Sequence, residues 1–559
     1  MWTEPRPAED FRTVSLSHTL VLRNADAPVT LARIPDFRYN LVRLAKGRVF
    51  CRTGPTILTG IMMRLMFRES KRQRIVTTGW IIICLAIGGF QEIDASTAAA
   101  RHGKVSTTVL CYMNGDNDLT DEVLSAVDRM ETVGSSDQLN IVALVDGHPY
   151  GISRFGAKWV GTKLLHITSD ANIANIDSRV LADWGEQDLG DPETLTRFIQ
   201  VALELFPADR YIFCAFAHGK GVIDTGNLSG NVTGKSLGIS PDATSASIMQ
   251  LTAFEGALTA GLNGRRFSLT VLFSCLSGMV EIAYALSDVT DYVIASEDEI
   301  RLVNEPPGTH QLSGISLQDL LQRLKNNPAM ATEALGRAIV DRYIEPYLQP
   351  VCIVGANGKK VACRYPAALA LIDCRKIDKL AHALDELAVQ LIADLKHPDF
   401  VIPTLSALHA SLSRTKSFKS FLNLEYYDLS EWLDHLAHAA ISDLISQKCR
   451  IRAGIIKSEV IVTERHTQDM ASGGIGIFFI HDLVPENIYR AHHAMYRQTR
   501  FGSNTRWHEL IRTYRRQMHQ HRTELLFYQG PSGLPASGHG NVSEKVQKGI
   551  PSDSAQTPG

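Results

Sequence analysis

Two short segments carry the residue types that hydrolyse acyl bonds. Ala217-His218-Gly219-Lys220-Gly221 offers an imidazole followed by glycine, and Ser274-Cys275-Leu276-Ser277-Gly278 offers a thiol 57 residues further on. A free thiol with a pKa near about 8.5 is only slightly ionised at neutral pH. A neighbouring imidazole can raise that fraction, or take the proton as attack proceeds and return it to the leaving amine. Glycine after the histidine lets a bare backbone N–H approach the substrate carbonyl. Together with the N–H of Cys275 it would form an oxyanion hole.

Such a pair needs adjacent mounts. Tyr211–Phe216 (YIFCAF) leads into the histidine and Phe267–Phe273 (FSLTVLF) into the cysteine; Thr107–Met113, Leu139–Asp146 and Tyr292–Ser296 are similar short apolar runs. Runs that are apolar on both faces suit a parallel sheet covered on both sides. Helical patterns fill the gaps. They are Asp118–Met130, Glu193–Leu205 behind an Asp191 N-cap and Pro192, Phe254–Leu262 and Met279–Leu286. Alternating strands and helices predict a doubly wound α/β sheet, with its site at the carboxyl ends of the strands. His218 and Cys275 both fall at such ends. The plainer reading of a cysteine ending an apolar strand is packing, as for Cys111 and Cys214 inside strands. The strand-end His-Gly is what sets Cys275 apart. Two other functions compete: a peptide-binding protein without catalysis, and a thiol hydrolase of small esters. The latter needs a glycine-flanked nucleophile elbow, which Phe273–Ser277 lacks.

An ordered series of segments resembles the clostripain family of cysteine peptidases. Tyr112–Leu119 (YMNGDNDL) and Gly185–Leu195 (GEQDLGDPETL) come first, then His218-Gly219 and Cys275 where that family keeps its catalytic pair. Glu281–Tyr284, Ala295–Glu297, Ala368–Leu380, Tyr427–Leu429 and Gly473–Phe479 follow. The likeness covers about residues 105–520. It implies a caspase-like fold: a three-layer α/β domain with a mostly parallel sheet, plus a mainly helical C-terminal region packed on it. It also implies an endopeptidase that cleaves peptide or protein substrates through a Cys275–His218 dyad and a thioester acyl-enzyme. Relatives that cleave after Arg or Lys often carry Asp two residues before the cysteine, where this chain has Phe273. Glu297 and Asp298, after the fifth strand, are the nearest carboxylates by topology to take over that role, whereas Phe273 points to a relaxed basic preference. Relatives are often activated by a cut between His and Cys, and Lys235 is the only basic residue in the polar stretch Asp224–Gln250. No cofactor is required; calcium enters through the resemblance, whose archetype depends on it.

The remaining residues set boundaries. Residues 1–104 read as an N-terminal extension, 105–310 as the catalytic domain, 311–525 as a mainly helical region and 526–559 as a disordered tail rich in Gly, Ser and Pro. Within residues 1–75, 14 Lys/Arg outweigh 6 Asp/Glu. The basic run Arg64–Arg74, the uncharged Ile75–Phe90 and Ala98-Ala99-Ala100 predict a secretory signal within 64–100, with an uncleaved anchor as the other reading. Met62, Met63 or Met66 would then be the natural start. The formal net charge of -2 gives nucleic acid no electrostatic footprint. No metal centre is read. Asp116, Asn117 and Asp118 are either cation ligands or a turn in which Asp118 caps a helix. His492, His493, His519 and His521 are read as solvated. Asn357-Gly358 predicts a hairpin with Cys352 opposite Cys363, either a disulfide in an exported protein or two packed thiols.

Overall fold

The computed structural model describes residues 104–148, 159–172, 175–223, 239–300, 315–349, 351–354, 360–363, 366–418, 425–439, 442–468, 470 and 472–528, with four short strands before them. The signal-like segment 64–100, Lys235 and the tail after residue 528 lie outside these residues. The chain divides into two units, Met1–Ala95 and Ser96–Gly559. In the first, β1 (Val21–Asn24) pairs antiparallel with β2 (Ala27–Thr30), and β3 (Leu41–Arg43) with β4 (Val49–Cys51).

The second unit is built on one nine-stranded sheet. Its centre is five parallel strands: β5 (Val105–Gly115), β6 (Leu139–Gly147), β9 (Ala208–Phe216), β12 (Phe267–Phe273) and β13 (Thr290–Ala295), in the order 13-12-9-5-6. These are the five apolar runs of the sequence. Beyond β6 lie two antiparallel strands, β7 (Gly161–His166) and β8 (Arg179–Gly185). The half-exposed β8 lacks the apolar run that marks the centre.

Side chains alternate between two cores, so the sheet is the middle of three layers. Val109, Cys111, Met113, Ile212, Cys214 and Phe273 face α1 (Thr120–Glu131), α5 (Leu317–Asn326) and α6 (Thr332–Ile344). Leu110, Tyr112, Phe213, Ala215 and Leu272 face α2 (Pro192–Leu205), α3 (Leu251–Leu262) and α4 (Val280–Leu286). The Asp191 side chain accepts from the Glu193 N–H at 2.9 Å, capping α2 as its sequence predicts.

The region after residue 311 is no separate layer. β16 (Ala368–Asp373) pairs antiparallel with β13, and β18 (Ile461–His466) with β16, so both extend the main sheet. Its helices α7 (Ile377–Lys396), α8 (Val401–Arg414), α9 (Leu429–His438), α10 (Asp443–Ile455), α11 (Glu486–Tyr496), α12 (Arg500–Asn504), α13 (Trp507–Gln520) and α14 (Arg522–Phe527) enlarge the core around Trp432 and Trp507. α9 and α10 are separate helices, and the Ser442 side chain caps α10. Gly473–Ile480 does not enter the main sheet; its β19 (Gly476–Phe478) pairs with β17 (Tyr426–Asp428). The expected Cys352–Cys363 pairing is corrected. β14 (Val351–Val354) and β15 (Lys360–Cys363) place Cys363 opposite Val351 and Cys352 opposite Ala362. The pairing closes at Val354 and Lys360, leaving five residues between them rather than two, and this shifts the register.

Candidate active site

The turns leaving β9 and β12 are neighbours by register. Phe216 pairs with Phe273, so His218 and Cys275 each lie two residues beyond the last paired position on adjacent parallel strands. Neighbouring strands are about 4.8 Å apart. The Phe216 and Phe273 rings stack with centroids 5.4 Å apart, which fixes the two ends against each other. Gly219 then packs against the cysteine turn. A β-carbon on it would lie 2.7 Å from Ser274 Cβ and 3.0 Å from Cys275 N, and would strike the Cys275 carbonyl oxygen. Only glycine permits that approach.

The cysteine turn is shaped for exposure. Cys275 is half-buried, whereas Cys111 and Cys214 are buried inside strands, and burial pushes the Cys214 thiol well up. Leu276, the next residue, is held at φ 55°. That left-handed conformation costs a branched residue about 1–3 kcal/mol, so the surroundings must impose it. The Leu276 N–H donates to Asp298 O at 3.1 Å and the Gly278 N–H to Ser296 O at 2.7 Å, tying the turn to the backbone after β13.

The sequence reading missed the partner of His218. The imidazole Nε2 lies 2.6 Å from Asp118 Oδ1. Asp118 was expected as a helix cap, but α1 starts at Thr120 and Leu119 stands at its N-cap without a side-chain hydrogen bond. The available signal was topological: β5 is the other neighbour of β9, with Met113 opposite Phe216, and the loop after it carries Asp118.

The region after residue 311 buttresses both turns. The Tyr426 hydroxyl accepts from the Ile223 N–H at 2.8 Å, and its ring fills the space where a side chain on Gly221, at φ 79°, would stand. The Gly476 N–H donates to Gly278 O at 2.8 Å beside the cysteine turn.

The expected specificity carboxylates sit differently. Phe273 is buried in the ring stack. Glu297 is corrected: it is buried in the interior, accepting from the Ser472 hydroxyl and the Gly474 N–H. Burial first, then the neighbouring Asp428 charge, holds its carboxyl well above the usual range. A carboxyl enclosed in the interior is not open to a substrate side chain. Asp298 is also nearly buried. It lies in the field of Lys416, whose ammonium burial lowers and Asp298, Glu297, Asp428 and Glu431 raise. The chain thus supplies its own cation beside these acids.

Two clusters hold groups suited to a metal. Asp116 does not act with Asn117 and Asp118 as the sequence suggests. The Asn117 side chain accepts from the Leu119 N–H at 2.9 Å, Asp118 meets His218, and Asp116 gathers with Asp146 and Asp242. His409, His481 and Asp482 form the second. There the two imidazoles, first after burial's opposing effect, pull the Asp482 carboxyl far down, and the Tyr514 hydroxyl donates to it. His492 and His493, expected in solvent, are buried: His492 pairs with Glu425 and His493 Nε2 lies 2.8 Å from His508 O.

The model of the clostripain family matches residues 111–514. Clostripain of Hathewaya histolytica is 24% identical over 376 residues, covering 62% of this chain and 66% of its own length, just under two thirds. A secreted C11 cysteine protease from Bacteroides thetaiotaomicron, solved with an irreversible peptide inhibitor, is 18% identical with a TM-score of 0.49, over 72% of this chain and 99% of its own. An inactive zymogen C11 protease from Parabacteroides distasonis is 16% identical with a TM-score of 0.48, over 73% and 99%.

Proposed function

Since the chain belongs to the clostripain family, we propose that it is a cysteine endopeptidase working through Cys275 and His218. The observation that carries this reading is the parallel register that sets the two residues at matching ends of β9 and β12, with Gly219 against the cysteine backbone. His218 takes the thiol proton as sulfur attacks the scissile carbonyl. The N–H groups of Gly219 and Cys275 receive the developing oxyanion. His218 then protonates the leaving amine, a thioester remains on Cys275, and water activated by the same imidazole releases it. Asp118 orients the ring through Nε2, which leaves Nδ1 to exchange the proton.

Cys275→Ala and His218→Ala should each abolish hydrolysis of a peptide library in a folded protein. The double variant should lose little more than either single one, because the two act as a unit. Wild-type turnover in Cys275→Ala would overturn the assignment. An unreactive wild type, untouched by a thiol-directed peptide inhibitor, would favour the non-catalytic peptide-binding reading.

The preference for basic side chains is relaxed in this reading, because Phe273 stands where relatives carry the acid, Glu297 is buried among its own hydrogen bonds and Lys416 lies near Asp298. Incubating wild type beside Cys275→Ala and reading fragments by mass spectrometry tests it; a Cys275-dependent cut after Lys235 would refute it. Export follows from the signal-like segment 64–100, and among the described residues no helix is long and apolar enough to cross a membrane. N-terminal sequencing of the mature protein checks removal up to about Ala100; a cytosolic chain beginning before Arg64 would refute it.

A further inference from the structure

Three side chains of metal-ligating type that the proposed mechanism does not use converge in the region after residue 311. His409 lies on α8, His481 and Asp482 follow β19, and Tyr514 on α13 joins them. Asp482 Oδ1 lies 3.0 Å from His481 Nδ1, 3.4 Å from His409 Nδ1 and 3.3 Å from the Tyr514 hydroxyl. That hydroxyl is also 3.3 Å from His409 Nδ1. The two imidazole centroids are 5.1 Å apart. His481 is buried, and His409 and Asp482 are half-buried.

These spacings suit atoms that surround one small cation. Two ligands of a tetrahedral Zn2+, each at about 2.0–2.1 Å, stand about 3.3–3.4 Å apart. The four contacts, at 3.0–3.4 Å, lie close to that edge. They are long for hydrogen bonds to an ionised carboxylate, which fall at about 2.7–2.9 Å from a charged nitrogen. Proton counting points the same way. The Leu483 N–H donates to His481 Nδ1 at 3.2 Å, so a nitrogen lone pair stands 3.0 Å from a carboxylate oxygen. His409 Nδ1 faces both Asp482 and Tyr514 with one hydrogen or one lone pair to offer. A cation among these atoms satisfies both nitrogens and the carboxylate together. Burial works against the charge on Asp482, yet the facing imidazoles hold its carboxyl far below the usual range, so it is ionised as a ligand must be. Outer groups fix the ligands. Arg515 Nη1 and the Val484 N–H donate to His481 O at 3.1 and 3.2 Å. The Tyr427 hydroxyl, within the field of Asp482, is buried with no hydrogen-bond partner.

We propose that His409, His481 and Asp482, with Tyr514 at the fourth corner, bind a transition-metal dication of the zinc class. Imidazole nitrogens select such ions over Mg2+, which takes oxygen ligands. The ion ties α8 and α13 to the chain leaving β19. That strand is half of the small sheet beside both turns of the active site: Tyr426 of β17 holds Ile223, and Gly476 of β19 holds Gly278. The metal is therefore a staple on this sheet and takes no part in hydrolysis. The site stands on its own geometry; only its bearing on the peptidase rests on the assignment of His218 and Cys275. The other cluster, where Asp116 and Asp146 meet Asp242 at the end of β10 (Ile239–Asp242, paired with β11, Ser247–Met249), offers oxygen alone and supplies a control.

The test uses the full-length Cys275→Ala protein, which keeps the nucleophilic thiol, self-cleavage and turnover out of the readout. After stripping with 1,10-phenanthroline and desalting, Zn2+ is titrated in competition with a chromophoric chelator, and unfolding is followed by circular dichroism. One Zn2+ per chain should bind with a Kd of about 10⁻⁶ M or tighter and raise the midpoint by about 2 °C or more, whereas Mg2+ should leave it unchanged. His409→Gln and, independently, Asp482→Asn should weaken Zn2+ binding at least about tenfold, and Asp242→Asn should not weaken it. His409 is partly exposed on α8, so His409→Gln decides the matter should Asp482→Asn fail to fold. A folded parent that takes up no Zn2+ at about 10⁻⁴ M, a hundredfold above the expected Kd, would overturn the proposal and leave a hydrogen-bonded ion pair. So would a folded His409→Gln variant that keeps full affinity, because the ion would then sit elsewhere. Inactivity of the wild-type peptidase would leave these readouts unchanged.

Discussion

Gly219→Ala isolates the close approach of the histidine and cysteine turns. The new methyl would sit 2.7 Å from Ser274 Cβ, where ordinary contact begins near 3.4 Å, so that pair alone must separate by about 0.7 Å. The Cys275 carbonyl oxygen is closer still, and neither it nor the Ser274 Cβ can rotate away as a long side chain would. The turns must therefore part. A misplacement near 1 Å costs about 10²-fold in rate, and loss of one oxyanion donor about 10²–10³-fold. The expected fall in kcat is thus about 10²–10³, with KM changing less. Steady-state kinetics on the best library peptide measures it, and the rate of Cys275 alkylation by iodoacetamide runs alongside. Alkylation forms no oxyanion, so it should slow far less than peptide hydrolysis. Gly256→Ala is the matched control. It lies exposed on α3 with nothing within 4 Å of a β-carbon, and should be as active as wild type and slightly more stable. A Gly219→Ala enzyme within about threefold of wild-type kcat would refute the oxyanion role and the close approach together.

Asp118→Asn should lower kcat by roughly tenfold without moving the unfolding midpoint, a modest loss because the Asp118 side chain is 83% exposed; unchanged kcat would refute its positioning role. Glu281 is buried on α4, accepts from the Tyr496 hydroxyl at 2.8 Å and the Phe478 N–H at 3.1 Å, and burial pushes it up to about 7. With its native pKa raised, its contribution is full below about pH 4.5 and is lost as pH rises through 7. Denaturant titrations should therefore show Glu281→Gln gaining about 3 kcal/mol on wild type between pH 4 and pH 8; a constant difference would refute it. Asp146 has the same sign, since burial pushes it up to about 8: stability should fall as pH rises from about 4 to 8, and Asp146→Asn should remove about one proton's worth of that slope.

Legibility in the sequence followed the reach of each signal. Tyr211–Phe216 and Phe267–Phe273 are apolar on both faces because both faces are covered, so composition alone marks them as central strands. Strand ends then placed His218 and Cys275. Asp118 was misread because its local pattern, an acid just before a helix, is that of an N-cap, while its partner lies 100 residues away. Glu297 was misread because topology places it near the site but says nothing of depth; Ser472 and Gly474 surround it from another part of the chain. The Cys352 register failed because it was counted from a two-residue turn, and one residue of slip changes every partner.

The position of residues 311–525 was the least legible, and it explains how the two turns of the site are braced. A left-handed Leu276 and a left-handed Gly221 flank the site, one on each turn. Neither is held by its own strand. The cysteine turn is tied to the backbone of Ser296 and Asp298, and Glu297 between them is anchored by Ser472 and Gly474. The histidine turn is held by the Tyr426 hydroxyl, and Tyr426 pairs with Phe478 across β17 and β19. The two turns are thus braced by one small sheet whose strands are separated in sequence by two helices and a sheet-edge strand. Local patterns see each piece as an ordinary helix or apolar run. Their joint task becomes visible only when β16 and β18 join the main sheet and carry β17 and β19 to the carboxyl edge where His218 and Cys275 emerge.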